Sequence, residues 1–233
     1  MNETEQLHEF YWSKWSEIVD GLRSRQGLSA PLLLKPHGEY FSAKRKLMVV
    51  GQETNRWYVE DEPRSASMTT LHLLLDNYHD HVIKRIKGSQ PFWKASRIIA
   101  DCLNPDLKDQ PSLAWSNIVK TDRLKKVNEK ISGVRPSLED EEWISQFNML
   151  QEEIRILKPE VIVFFIGPCY CDRLEKTFPG VNYTRPSTAS LWSPVSHPDL
   201  PIHSYLTYHP SYLWRSGRRA VIDKIANRIQ SNT

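Results

Sequence analysis

Cysteine is scarce in this chain of 233 residues: there are three, an odd number, at Cys102, Cys169 and Cys171. That leaves no disulfide framework to staple a small secreted fold. The simplest expectation is a reducing, cytoplasmic setting. Long apolar runs are missing too. The longest, Val161–Ile166, falls far short of the roughly 20 residues that cross a bilayer, so no membrane partner is expected. The opening MNETEQLHEFYW is acidic and amphipathic, without the basic start and apolar stretch of a secretory leader. Neither a G-x-S-x-G elbow nor a P-loop occurs, which argues against a serine hydrolase or a P-loop nucleotide enzyme. Charge of one sign does not dominate. The net charge is +3, which permits a polyanion partner without demanding one, so the placement of charge matters more than its sum. There is no internal repeat, low-complexity tract or linker, and residues 1–233 are expected to form a single domain with an N-terminal helical extension over about 1–40.

Metal-ligand spacing is also lacking. His79 and His81 with Asp76 and Asp80 resemble a cluster, but residues i and i+2 on a helix do not share a face. His197 and His203 have no clear third ligand. No metal and no cofactor is expected.

What is present is an alternation of elements. Residues 4–23 read as a helix, with Leu7, Phe10, Tyr11, Trp15 and Ile18 at helical spacing. A short apolar strand at 47–50 halts at Gly51, and residues 68–87 and 91–103 read as helices. Trp115–Val119 reads as a strand, and the basic, then Pro/Ser-containing stretch 123–138 as a long surface loop. One helix is expected over 139–157, opened by four acidic residues and striped by Trp143, Phe147, Leu150, Ile154 and Leu157. Val161–Ile166 is apolar at every position, as in a parallel strand covered on both faces. A short helix at 172–178, a Pro/Ser-rich stretch, a strand at 204–208 and a last helix from about 218 to 229 complete the chain. The order argues a three-layer α/β/α domain with a central, mostly parallel four-stranded sheet. Ligands collect beyond the C-terminal strand edges of such sheets. Here those edges carry GQETN (51–55), Asn117 with Lys120, GPCY (167–170) and HPSYLWR (209–215), all polar or glycine-containing.

These four segments, in this order, resemble the uracil-DNA glycosylase superfamily. GQETN is similar to its first motif, SNIVK (116–120) to the segment whose asparagine reads the base, LKPEVIVFFIG (157–167) to its helix–Pro–strand–Gly passage, and YHPSYLWR (208–215) to its HPS motif. The resemblance runs from about residue 47 to 229; the first forty residues and 123–138 lie outside it. It implies an enzyme that flips a pyrimidine out of DNA and hydrolyses its N-glycosidic bond, leaving an abasic site, without metal or catalytic lysine. It implies that His209 donates to a base carbonyl as charge develops, that Asn117 reads the pairing edge and that Gly51 and Gln52 contact the base. Glu53 stands where some members carry a water-positioning aspartate. Leu213 matches the residue that fills the hole left by the base, and Ser211, Arg215, Arg218, Arg219 and Lys120 fall where DNA would be contacted. A second basic group, Arg123, Lys125, Lys126 and Lys130, follows the Asn117 strand. An acting-alone monomer is the corresponding expectation. Some relatives hold an iron–sulfur cluster on four cysteines; this chain has too few, and Thr121 stands where one would be.

Departures from the family are informative. Where uracil-excising relatives with the fullest motif have proline and then a tyrosine that blocks C5 of the base, this chain has Thr54 and Asn55. The floor over C5 is then open and polar, which suits uracil or a C5-modified pyrimidine; relatives acting on heavily modified phage DNA set the precedent, and phage defence a possible role. Alternatively Trp57 or Tyr58 refills the space. The aromatic that stacks on the base is Phe92, Trp93, Trp57 or Tyr58. Two other readings stay open: a catalytically silent DNA- or nucleotide-binding protein on the same scaffold, and an unrelated α/β enzyme. Glu53, Asn117 and His209 each also fit plain structural roles at strand ends.

Overall fold

In a computed structural model, residues 1–55, 57, 65–127 and 130–231 are described, apart from the side chains of 126, 127, 130 and 131. Helix α1 (Glu3–Ser24) starts from a capping box in which Asn2 Oδ1 accepts from Glu5 N and Asn2 N donates to Glu5 Oε2, both at 2.9 Å. Its buried stripe is Leu7, Tyr11, Trp15, Ile18, Val19 and Leu22. It packs on later helices, and its buried residues belong to the hydrophobic core cluster of the described residues.

Short α2 (Gly38–Ser42) leads into β1 (Leu47–Gly51). Helices α3 (Met68–Ile86) and α4 (Pro91–Leu103) connect it to β2 (Leu113–Asn117), and α4 carries proline in its first turn, where no N–H is needed. Further along lie β5 (Val161–Phe164), α7 (Cys171–Thr177), β8 (His203–Thr207), α8 (Pro210–Arg215) and α9 (Ala220–Ser231). The four parallel strands lie in the order β2-β1-β5-β8. They are buried along nearly their whole length, as expected for a sheet with both faces covered.

Three expectations need correction. Among the described residues the sheet has six strands, not four: β6 (Asn182–Tyr183) and β7 (Trp192–Ser196) come from the Pro/Ser-rich stretch and add antiparallel beyond β8. Pro194 hid β7, yet β6 pairs only with Val195 and Ser196, so β7 has an open side at Pro194 where a missing donor is tolerated, and the Ser193/Val195 alternation buries one face. The supposed loop at 123–138 holds an antiparallel hairpin, β3 (Arg123–Val127) with β4 (Lys130–Val134), in which lysines masked the strand pattern. The helix expected over 139–157 is two, α5 (Leu138–Ser145) and α6 (Met149–Leu157). Asn148 breaks it at φ 50°, a left-handed conformation that asparagine tolerates. Among the described residues no helix is long and apolar enough to cross a membrane.

Register decides what the sheet presents. Gly51 is level with Asn117, and Val50 with both Ser116 and Phe164. Phe165 N donates to Val50 O at 2.8 Å and Gly167 N to Thr207 O at 2.9 Å. The C-terminal ends of four adjacent strands are therefore drawn to one edge.

Candidate functional site

The ends of β1 and β2 touch through a side chain. Asn117 lies across Gly51 so closely that a Cβ at position 51 would overlap Asn117 Oδ1 and come within 3.3 Å of Phe92 Cε2. Only glycine fits there. Asn117 Oδ1 accepts from Trp115 Nε1 at 3.2 Å, while its Nδ2 is buried and has no hydrogen-bond partner. A buried unpaired amide costs about 1–3 kcal/mol, and among the described residues Asn117 is one of seven side chains with such an atom, here placed at the strand-end rim. Trp115 sits two residues before Asn117 on the same strand and so on the same face. The strand period was the signal that could have found it.

Phe92, in the first turn of α4, lies between Gly51 and His209. Its ring is edge-on to Trp115 and Phe165 and near-parallel to His209, with centroids 5.9 Å apart at 24°. His209 caps α8: its Nδ1 accepts from Ser211 N at 3.2 Å, so Nε2 carries the ring proton. Burial, aided by the Arg215 charge, holds its pKa down at about 4, so the ring is neutral at pH 7. Gly167, at φ 65°, brings the end of β5 against Tyr208 and His209; a Cβ there would sit 3.7 Å from His209 N. Gly51, Asn117, Phe92, His209 and Gly167 thus form one contiguous group.

The neighbouring residues divide. Gln52 Nε2 donates to Ile166 O at 2.8 Å, tying β1 to β5 rather than reaching outward. Glu53 accepts a short hydrogen bond from Tyr170 OH, and burial raises its pKa above the usual carboxylate range. The Arg135 guanidinium lies over the Tyr170 ring, 4.2 Å from its centroid. Thr54 is buried, its hydroxyl on Asp122, and Asn55 is exposed. Trp57 is buried edge-on to Trp115 and His81, with its Nε1 unpartnered. Trp93 joins the same aromatic cluster. His81 belongs there too, its pKa held down at about 4 by burial, while His79 stacks on His37. Tyr58 lies outside the described residues.

Two of the residues expected to face DNA do not. Lys120 is buried: Nζ donates to Ser116 Oγ at 2.6 Å and is ion-paired with fully buried Glu153 at 2.5 Å. Glu153 also accepts from Tyr11 OH and Ser116 Oγ, both at 2.9 Å, which makes a closed network joining α1, β2 and α6. Leu213 has no exposed surface, because α8 packs that face into the core. Its neighbours Tyr212 and Trp214 are half-buried instead, and Tyr212 stacks on Tyr208 at 4.5 Å. Arg215 and Arg219 are exposed, and Arg218 donates to Tyr212 OH at 3.3 Å. On the hairpin, Lys125 is exposed and Arg123 pairs with Asp140 through Nε at 3.2 Å; the Lys126 and Lys130 side chains lie outside the described residues. Tyr170, read from sequence only as part of a strand-to-helix turn between two cysteines, is the partner that fixes Glu53. Among the described residues no group of three or more histidines, cysteines or carboxylates could hold a metal.

No protein-family model matches the chain, and no curated protein matches it.

Proposed function

We propose that the chain is a monofunctional DNA glycosylase that hydrolyses the N-glycosidic bond of a flipped pyrimidine, on a three-layer fold like that of the uracil-DNA glycosylases extended by β6 and β7. Opposite directions of the β1→β2 and β2→β5 crossovers carry α4 and α6 to opposite sheet faces if both take the usual right hand, which favours that layering. The observation that carries the proposal is the pairing, in one contiguous group, of an unsatisfied buried amide on Asn117 with a neutral His209 bearing its proton on Nε2.

The chemistry follows from those donors. A base enters by displacing Phe92 or stacking on its ring. As the C1′–N1 bond breaks, its electron pair leaves on the base and positive charge builds on the sugar. The His209 Nε2–H bond strengthens as the base oxygen becomes anionic, whereas an imidazolium is not needed. Asn117 binds the pairing edge. Water adds at C1′ and loses its proton to solvent. Exposed Arg215 and Arg219 lie beside HPSYL, where they would neutralise phosphates.

The test is to incubate oligonucleotides bearing uracil, C5-modified uracils or C5-modified cytosines, single- and double-stranded, and then treat with alkali. Strand breaks that disappear in His209→Ala and Asn117→Ala are expected. A specific observation favours a second reading, a catalytically silent DNA-binding protein: Glu53, the carboxylate nearest the expected water-positioning role, is held by Tyr170. Salt-sensitive binding with no abasic product from any base would establish that reading instead.

A further inference from the structure

Both ends of the β3–β4 hairpin stand on the rim. Beyond Asn117 the chain stays level with the end of β1: Ile118 N donates to Gly51 O at 3.0 Å and Val119 N to Gln52 O at 2.9 Å. On the other side of this segment, Leu32 N donates to Lys120 O and Ser29 N to Asp122 O, both at 2.8 Å. Asp122 accepts from the Thr54 hydroxyl, and β3 starts at the next residue. Arg123 Nη1 donates to Gln26 O at 3.0 Å and Leu124 N to Gly27 O at 2.6 Å, which holds the first strand further. Past the end of β4, Arg135 lies over the ring of Tyr170, which in turn holds Glu53, and Arg135 Nε pairs with Glu141 at 3.1 Å. Thr54 and Glu53 therefore brace one foot of the hairpin each. The polar groups of the GQETN segment that are spent on the scaffold are spent on this footing.

The hairpin also gathers the positive charge of the chain. Residues 123–135 hold five lysines and arginines against one glutamate, an excess larger than the net +3 of the whole sequence. Opposite residues of an antiparallel pair share a face, and successive residues alternate. Arg123 with Val134, Lys125 with Ser132 and Val127 with Lys130 thus fall on one face, and Leu124 with Gly133 on the other. Lys125 and Val134 are exposed while Leu124 and Gly133 are half-buried, so the face with three cations is the outer one. Like charges gathered on one face of a strand pair repel, and a polyanion laid against them relieves the repulsion. β2 and β8 are the outer two of the four parallel strands, so the hairpin and the exposed Arg215 and Arg219 leave the rim from opposite ends. We propose that the hairpin is a DNA-backbone grip, whose outer face meets the phosphates on one side of the target nucleotide while Arg215 and Arg219 meet those on the other. This rests on the reading of the rim as DNA-facing, and it is independent of whether a base is excised. Phosphate contacts fix register and affinity without reading sequence, so the grip serves any target base.

The probe is a fluorescent oligonucleotide with one central tetrahydrofuran abasic analogue, as single strand and as duplex, bound by the full chain across a range of salt concentrations. Lys125→Gln/Lys130→Gln is expected to weaken binding by roughly tenfold or more at low salt, and to reduce the slope of log K against log salt by about 1.8 on duplex and about 1.4 on single strand. Lys125→Arg/Lys130→Arg is expected to bind like the wild type. Lys44→Gln/Lys158→Gln removes the same charge from exposed positions at the opposite edge of the sheet and is expected to change neither quantity. With the probe cut back to the target on one side, the deficit of the hairpin variant is expected to vanish, and with the other side cut back it is expected to persist. Equal losses in the two glutamine variants, or an unchanged slope in the hairpin variant, overturn the proposal. If the glutamine variant melts early, the arginine variant decides: loss of binding there with a wild-type Tm also overturns it. A wild type that binds neither probe overturns the grip and the DNA-facing reading together. Hairpin-dependent binding with no excision of any base upholds the grip and overturns the glycosylase reading, whereas excision that is indifferent to the hairpin does the reverse.

Discussion

The rim formed by the strand ends has two unlike halves. At the ends of β2 and β8, the strands flanking the central pair, Asn117 keeps a buried amide without a partner, and His209 is neutral although only partly covered. On the β1–β5 side, Gln52, Glu53, Thr54 and Tyr170 are each engaged, to Ile166 O, Tyr170, Asp122 and Glu53. Both halves are equally polar in sequence. What separates them is satisfaction: one half has spent its donors on the scaffold, and the other holds them for something else. Polar composition at a strand end therefore identifies a rim, and the pattern of matched and unmatched groups divides it.

The comparison breaks most sharply if the unsatisfied half is removed. His209→Ala and Asn117→Ala are each expected to lower the single-turnover excision rate by about 10²–10⁴-fold. Asn117→Ala deletes an unpaired buried amide but also takes the acceptor from the Trp115 indole N–H, so the two effects oppose and thermal stability should change little. A marked loss of Tm in that variant would mean the amide serves the fold. Next comes the satisfied interior. Glu153→Ala strands the buried Lys120 charge and is expected to cost about 3–5 kcal/mol by urea unfolding, with Lys120→Met costing less.

Acid probes both halves at once. His209 and His81 are held near pKa 4 in the folded chain, below the ordinary histidine value of about 6.5, so between those limits the unfolded chain binds more protons. Their contribution is fully present above about pH 6.5 and is lost as pH falls towards 4, by roughly 2 kcal/mol or more together. Urea midpoints measured across that range should decline, and less so in His81→Phe. Because His209 acts neutral, excision should persist down the same range for as long as the fold does. The smallest effect sharpens the contrast: Glu53→Gln, on the satisfied side, should change the excision rate by less than about tenfold. A loss comparable with that of His209→Ala would move the water-positioning role to Glu53.

Much of this was legible in the sequence, for physical reasons. The runs at 47–50 and 161–164 are apolar at every position, as strands buried on both faces require, while β2 and β8 are buried although they carry serine, threonine and asparagine. Gly51, Asn117, Gly167 and His209 end those strands and meet because the register is level. The hairpin and β7 were hidden because their side chains face partly outward, so lysine and proline overwrote the strand signal. The break at Asn148 left a helical stripe on either side and no gap in periodicity. Lys120 and Leu213 were misjudged for one shared reason: position in a motif says where a residue lies along the chain, not which way its side chain turns. Lys120 turned inward because Glu153, a charge on the helix expected to show its polar face, was already buried.

That inward turn reaches back to the start of the chain. The Tyr11 hydroxyl takes a hydrogen bond from Leu34 N and gives one to Glu153, whose other oxygen holds Ser116, the residue beside Asn117. The first helix is thus wired, by two hydrogen bonds through Glu153, to the strand that carries the amide. Clipping it or fusing a tag that unseats it would disturb a cleft far along the sequence, so any version of this protein prepared for assay needs its first two dozen residues intact and its additions at the other terminus.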